Sequence, residues 1–260
     1  MFSCIALAAA QRGNKTVAQK IYEGKAKILY TTDDPDVLLT HFKDDATAFN
    51  AQKRGTIQGK GEMNCAISTR LFQLLQAQDI PTHWIDSPSP QTMRVRNVTI
   101  IPLEVVVRNL AAGSLVRETG LPVGQPLSPP LVEFYYKNDD LGDPLLTRDR
   151  IAALALASPE QVDQLIALAR QINDILSAFF ERCNIVLVDF KLEFGLDKSG
   201  RLLLADEISP DTCRLWDQSV DNPEQRVMDK DRFRHDLGRV EAAYEAVMQR
   251  VLAQPMPGVG

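Results

Sequence analysis

The chain has 260 residues, 45% of them hydrophobic and 24% charged, with a formal net charge of -5. That length buries a large core in one domain or two closely packed ones, and the acidic balance argues against a nonspecific grip on nucleic acid. No apolar run is long enough to span a bilayer, and Cys4, Cys65, Cys183 and Cys213 are scattered without metal-ligand spacing, the usage of reduced thiols in the cytosol.

Residues 2–10 are apolar and Ala8-Ala9-Ala10 resembles a cleavage site, yet no basic residue precedes them as a secretory signal requires. Residues 1–18 therefore read as a disordered or loosely attached extension. Residues 20–31, KIYEGKAKILYT, read as a strand or tight hairpin broken at Gly24, with Lys25 and Lys27 on one face. This is either a phosphate cradle of backbone donors and cations or an edge strand guarded by lysines. Residues 37–43 suit a second strand and 44–50 a polar loop. The glycines of residues 55–61 precede a helical pattern through Met63, Ala66, Ile67, Leu71, Leu74 and Leu75, which must end before Pro81. Such glycines can present a helix N-terminus to an anion, but they match neither the P-loop nor the dinucleotide fingerprint, and a flexible connection explains them as well.

Residues 92–107 are β-rich, with Pro102 demanding an interruption or an edge position. Arg108 closes that strand and Asn109 to Ser114 form a small-residue exit, an arrangement that suits phosphate or carboxylate recognition or, more simply, a surface ion pair. Residues 117–150, punctuated by Pro and Gly, read as a long loop able to cover a substrate. A helix starts at the capping box Ser158-Pro159-Glu160-Gln161 and buries Val162, Leu165, Ile166, Ala169, Ile172, Leu176, Phe179 and Phe180.

Residues 187–195, LVDFKLEFG, alternate with period two, so Asp189, Lys191 and Glu193 share one face and Phe190, Leu192 and Phe194 the other. Residues 197–200 form a turn, and 201–208 return as a strand. With Asp197 and Gly200 flanking the turn, Lys191 faces Asp206, Glu193 lies diagonally from it, and Glu207 points to the opposite face. Two carboxylates and a lysine on one face suit a magnesium-nucleotide site, although a solvated hairpin with one ion pair has the same pattern. Ser209 to Asp217 read as a loop carrying Asp211 and Arg214, and a last amphipathic helix carries Leu237, Val240, Tyr244, Val247 and Val251.

Five stretches together resemble the SAICAR synthetase family in order and spacing: YEGKAK at 22–27, IIPLEVVVRNLAAGS at 100–114, KNDDLGDP at 137–144, LVDFKLEFG at 187–195 and DEISPDTCRLWD at 206–217. Gly142 departs from the family, which often has histidine there. The resemblance implies an α+β, two-lobed fold related to ATP-grasp, with antiparallel sheets, flanking helices and ATP in the cleft between lobes. It implies an N-terminal nucleotide lobe over 19–95 and a metal and substrate lobe over 96–260. It further implies an ATP- and Mg2+-dependent ligase, cytoplasmic and homodimeric, that joins the small molecules CAIR and L-aspartate without nucleic-acid or membrane partners. By the same resemblance Gly24, Lys25 and Lys27 hold ATP, and Glu193 and Asp206 bind the metal. Lys191, Asp189 and Asp211 serve catalysis, while Arg108, Ser114 and Arg214 bind the nucleotide substrate. A small-molecule kinase would use the same lysines and carboxylates but leave phosphate on its product, and a noncatalytic nucleotide-binding protein would tolerate their loss.

Overall fold

The computed structural model describes residues 18–48 and 52–256. The extension expected over 1–18 lies outside them save for Ala18. In chain order the elements are β1 (Lys20–Glu23), β2 (Lys27–Thr31), β3 (Val37–Phe42), β4 (Asp45–Ala48), β5 (Lys53–Thr56), α1 (Lys60–Gln76), β6 (Trp84–Ser89), β7 (Thr92–Arg96) and β8 (Thr99–Leu110). There follow α2 (Gly113–Thr119), β9 (Pro126–Tyr136), β10 (Leu145–Leu146), α3 (Arg148–Ala153), α4 (Pro159–Arg182), β11 (Ile185–Leu196), β12 (Leu202–Ala205), β13 (Cys213–Asp217), α5 (Asp231–Arg234) and α6 (Val240–Ala253).

Two antiparallel sheets carry the architecture. The first has the order β1-β2-β3-β7-β6; the second runs β10-β9-β8-β11-β12, with β13 also paired to β11. On the second sheet, Leu103, Val105, Val107, Phe134, Phe190, Leu192 and Phe194 join the α4 stripe of Val162, Leu165, Ala169, Ile172, Leu176 and Phe179 in one buried cluster. The capping box forms as its residues require: Ser158 Oγ accepts from the Gln161 amide, and the Gln161 side chain accepts from the Ser158 amide. With α4 sealing that face, only the opposite face of the sheet is left for polar chemistry.

Several expectations are corrected. Residues 45–48 are not loop but pair with β5 in a two-stranded hairpin. Residues 117–150 hold β9, eleven residues long and paired to β8 along its length. Its prolines 126, 129 and 130 lie on the stretch that β10 does not reach, and such an edge tolerates a missing donor. Pro102 falls where the β8–β11 register shifts, between the pairs Glu193–Glu104 and Gly195–Ile100, so the interruption is a bulge. The glycines before α1 meet an internal anion: Asp44 accepts from the Gly59 amide at 3.0 Å and the Gly61 amide at 2.8 Å. Arg214 lies on β13 rather than in a loop.

The β11–β12 hairpin is also one residue out of the expected register. Glu193 pairs with Ala205 and Leu196 with Leu202, because Gly200, at φ 80, adds a left-handed residue and the loop closes from the Asp197 amide to the Arg201 carbonyl. The strand then stops at Ala205, and Asp206 adopts φ 61, which breaks the period-two alternation before Glu207.

His83 sits under this junction, 6% exposed and edge-on to Phe72 at 5.3 Å, its Nε2 without a hydrogen-bond partner. Burial, with Lys27 nearby, pushes its pKa down to about 4 from an ordinary 6.5. The unfolded chain therefore takes up this proton first, so the contribution is full above the unfolded value and is lost as pH falls through the folded one. Relative to His83→Phe, the wild type is expected to lose about 1.4 kcal/mol of stability per pH unit across that window. Buried Asp229, raised to about 7 by burial and by Asp231, contributes the opposite slope, but to both proteins alike. Urea unfolding at stepped pH checks this; a pH-independent difference between the two proteins contradicts it.

Candidate active site

The polar face of the second sheet is a lattice set by register. Tyr135, Glu104 and Glu193 lie in one row across β9, β8 and β11; Glu133, Val106 and Lys191 form the next; Arg108, Asp189 and Arg214 form the third, across β8, β11 and β13. Period-two alternation puts these rows on one side.

At one end, Lys191 Nζ lies 2.8 Å from Glu104 and 2.7 Å from Glu193, and Lys137 reaches the same Glu193 oxygen at 2.8 Å. Burial works against the Lys191 charge, but Glu193, Asp206 and Glu104 outweigh it and hold its pKa well above the ordinary lysine value. From the first sheet, Lys27 reaches across to both carboxylates that follow β12, touching Asp206 and lying 3.0 Å from Glu207. Burial opposes that charge too, and Asp206 and Glu207 override it to keep Lys27 raised. Burial favours the neutral Asp206 acid, but Lys27 and Lys191 hold its pKa well below the carboxylate range. Lys25, beside the Gly24 turn, pairs with Asp139 at 2.9 Å, which ties the β1–β2 turn to the connection between β9 and β10.

The expected separation of Asp206 from Glu207 is therefore wrong. Both reach Lys27, because the left-handed Asp206 ends the strand and lets consecutive side chains converge. Glu207 is the more deeply held, its other oxygen accepting from Ser209 Oγ at 2.6 Å.

At the other end, Arg108 is 3% exposed and uses its whole guanidinium. Nε donates to Glu133 at 2.7 Å, one terminal nitrogen to Asp189 at 2.7 Å, and the other to Ser114 Oγ at 2.9 Å and Tyr135 Oη at 3.1 Å. Arg214 donates to the same Asp189 oxygen at 2.7 Å and to Asp231 at 2.8 Å. Gly113, at φ 58, packs on that guanidinium so closely that a Cβ would stand 2.5 Å from it. Three carboxylates, Glu133, Asp189 and Asp231, face the two guanidiniums, so the cluster carries no surplus positive charge; its planar forks beside a hydroxyl and a phenol are the donor types that bind a phosphate.

Asp211 is placed differently from a reacting group. It is buried, Lys60 donates to one of its oxygens at 2.7 Å, and Tyr244 Oη donates to the other at 2.7 Å. Asp189 is likewise enclosed, 4% exposed between its two arginines. Sequence reasoning missed Glu104, Glu133, Tyr135, Lys137, Lys60 and Asp231. The alternation of Glu133, Tyr135 and Lys137 is a readable strand signal within residues 117–150.

Among the described residues no group of three or more His, Cys, Asp or Glu is arranged to hold a metal by itself. Magnesium asks for less, one or two carboxylates with phosphate oxygens completing its shell, and Asp206 and Glu193, close enough to act on the same lysines, fit that donor set. A cleft of about 700 Å³ at the Gly24 turn is lined by Tyr22, Gly24, Lys25, Lys43, Arg54 and Asp139 among others.

The SAICAR synthetase family model matches residues 20–251. A phosphoribosylaminoimidazole-succinocarboxamide synthase of Cyanothece sp. is 68% identical over 238 residues, 92% of this chain and 98% of the relative. The crystal structure of such a synthase from Ehrlichia chaffeensis superposes with a TM-score of 0.87 at 44% identity, covering 91% of this chain and 100% of that one. A SAICAR synthetase in complex with ADP superposes with a TM-score of 0.85 at 43% identity, covering 90% and 97%.

Proposed function

The chain belongs to the SAICAR synthetase family, and from that premise we propose which of its residues carry the reaction. It is an ATP-dependent ligase of purine biosynthesis that joins CAIR, a carboxylated aminoimidazole ribonucleotide, to L-aspartate, giving SAICAR, ADP and phosphate. The observation that carries the assignment of residues is Lys27, which crosses from the first sheet to Asp206 and Glu207 of the second.

A carboxylate is a poor electrophile because attack on it must expel oxide. Transfer of the γ-phosphoryl group to a CAIR carboxylate oxygen makes an acyl phosphate; the aspartate amine then attacks the acyl carbon and phosphate leaves. The protein's share is positioning and charge neutralisation. Gly24, Lys25 and Lys27 hold the ATP phosphates, with Lys27 kept cationic by its two carboxylates. Asp206 and Glu193 hold Mg2+, which when bound draws charge from the phosphate oxygens. Lys191, cationic between Glu104 and Glu193, sits beside the transfer path. Arg108, Ser114 and Arg214 bind the ribonucleotide phosphate, their forks set by Asp189. Asp211, its oxygens already taken by Lys60 and Tyr244, positions the segment from Ser209 to Arg214.

The proposal divides the chain into a nucleotide lobe, 19–95, and a metal and substrate lobe, 96–260. Supporting it, β7 ends at Arg96 and β8 begins at Thr99. α6 returns to pack on α1, so the end of the chain also supports the first lobe. It extends to a cytoplasmic homodimer acting on small molecules only, without nucleic-acid or membrane partners. The net charge of -5 supports the exclusion of nucleic acid, and no helix among the described residues is long and apolar enough to cross a membrane.

A coupled ADP assay tests the reading. ADP release with phosphate and SAICAR as products is expected only when CAIR and L-aspartate are both present. Sustained turnover without aspartate, with phosphate left on CAIR, would make the protein a kinase instead.

A further inference from the structure

Asp229 is fully buried, yet its two oxygens accept from main-chain amides and not from a cation. Oδ2 accepts from Leu215 at 2.8 Å and Oδ1 from Asp231 at 2.8 Å. A buried carboxylate without a cation is costly, and here burial, with Asp231 adding to it, pushes the pKa up to about 7. Capping the short α5 accounts for the bond to Asp231. It does not account for the bond to Leu215, which lies on β13, earlier in the chain.

The two amides flank one ion pair. Leu215 follows Arg214 on β13, Asp231 opens α5, and Arg214 Nε donates to Asp231 at 2.8 Å. A closed ring results: the Asp229 carboxylate joins the two main chains, and the ion pair joins the two side chains. The Met228 amide donates to the Leu215 carbonyl at 2.8 Å, so Leu215 is held through both of its main-chain groups. Asp189 takes one terminal nitrogen of Arg214 at 2.7 Å. The other terminal nitrogen stands against Gly113 and has no hydrogen-bond partner among the described residues. Because a guanidinium is planar, the direction of that nitrogen follows from where Asp189 and Asp231 hold the rest of the fork.

We propose that Asp229 is a positioning residue for the ribonucleotide phosphate, clamping β13 to α5 so that Arg214, bound to Asp231, keeps its remaining nitrogen aimed at the phosphate. The inference rests on the assignment of Arg214 to that phosphate in the ligase reading above. Holding both amides needs two acceptor oxygens. The ionised carboxylate has them, whereas the neutral acid turns one oxygen into a donor. The clamp is therefore complete above the Asp229 pKa and slackens as pH falls through it. The groups acting with Asp229 are Arg214 and Cys213 on β13, Asp231 and Arg232 on α5, and Tyr244 on α6. Burial raises the Cys213 thiol and the Tyr244 phenol, and Asp231, against its burial, is held low by Arg214 and Arg234, so Asp229 alone among them changes charge near neutral pH.

The test is steady-state kinetics of Asp229→Asn, which keeps the shape and one acceptor but turns an NH2 group toward the other amide. About one pH unit above the wild-type pKa, the KM for CAIR is expected to rise about tenfold, the scale of one charge-assisted hydrogen bond. The kcat and the KM values for ATP and L-aspartate are expected to stay within about twofold of wild type. As pH is lowered to about one unit below that pKa, the variant-to-wild-type ratio of CAIR KM is expected to fall toward one, because the wild type then loses the same acceptor. Protonation of CAIR itself acts on both proteins alike. A ratio that stays constant with pH, or parallel rises in all three KM values, overturns the clamp. Arg214→Lys separates this from the reading beneath it. An unchanged CAIR KM in that variant overturns the phosphate assignment and the clamp with it; a raised one beside an unchanged Asp229→Asn overturns the clamp alone. Should Asp229→Asn fail to fold, nitrogen-15 NMR of the wild type decides the matter. The Arg214 Nε–H signal, identified by its loss in Arg214→Lys, is expected to move as pH passes through about 7, and a signal that stays in place overturns the proposal.

Discussion

Replacing Asp206 with Asn is expected to lower turnover by about a hundred- to a thousandfold, the scale of losing a preorganised charge at the reacting centre. Asparagine tolerates left-handed backbone nearly as well as aspartate, so φ 61 at this position survives the change and the variant isolates the charge. Two functions go with that charge. A neutral amide is a poor ligand for a hard cation, and Lys27 is left with Glu207 as its only carboxylate within ion-pair distance. Glu207→Gln is expected to act differently. The Glu207 side chain is only 3% exposed and already bonded to Ser209 and Lys27, which makes it a support for Lys27 rather than an open ligand. A magnesium titration of ATP binding and turnover separates the two: the requirement should rise far more in Asp206→Asn. A larger shift in Glu207→Gln would remove Asp206 from the metal site.

Arg108→Lys is expected to weaken CAIR binding about a hundredfold while leaving ATP binding nearly intact, and to cost about 3 kcal/mol of stability. One lysine ammonium cannot satisfy Glu133, Asp189, Ser114 and Tyr135 together, as the guanidinium does from its three nitrogens. The buried carboxylates would lose their fixed partners, and the planar fork that meets a phosphate would be gone. Calorimetric titration with CAIR and with ADP, alongside chemical unfolding, reads all three quantities. Equal losses for the two ligands would mean that Arg108 supports the fold without addressing the ribonucleotide.

How much of this was legible in the sequence depended on distance along the chain. The alternation in β11 and the capping box of α4 are local patterns, and both survive in the structure. The hairpin register was not legible from polarity, because Leu202, Leu203, Leu204 and Ala205 are apolar on both faces and offer no way to tell one from the other. Only the left-handed Gly200 decides it. β9 was hidden by its prolines, which an edge permits. The pairings that make the site bring together residues far apart in the chain, Lys27 with Asp206, Lys60 with Asp211 and Lys137 with Glu193. No periodicity encodes such contacts. The five family-like stretches pointed to the residues without revealing which carboxylate each cation would meet. Thus Asp211 and Asp189, expected to take part in catalysis, stand as enclosed partners of Lys60, Tyr244, Arg108 and Arg214.

The claim that the cleft activates a carboxylate by phosphoryl transfer is tested most directly by isotope tracing. CAIR labelled with heavy oxygen in its carboxylate is converted with ATP and L-aspartate, and the released phosphate is analysed by mass. An acyl phosphate requires one carboxylate oxygen to leave with phosphorus and the other to stay in the SAICAR amide. Phosphate carrying one labelled oxygen for each SAICAR formed is the predicted result; unlabelled phosphate at full conversion would contradict it.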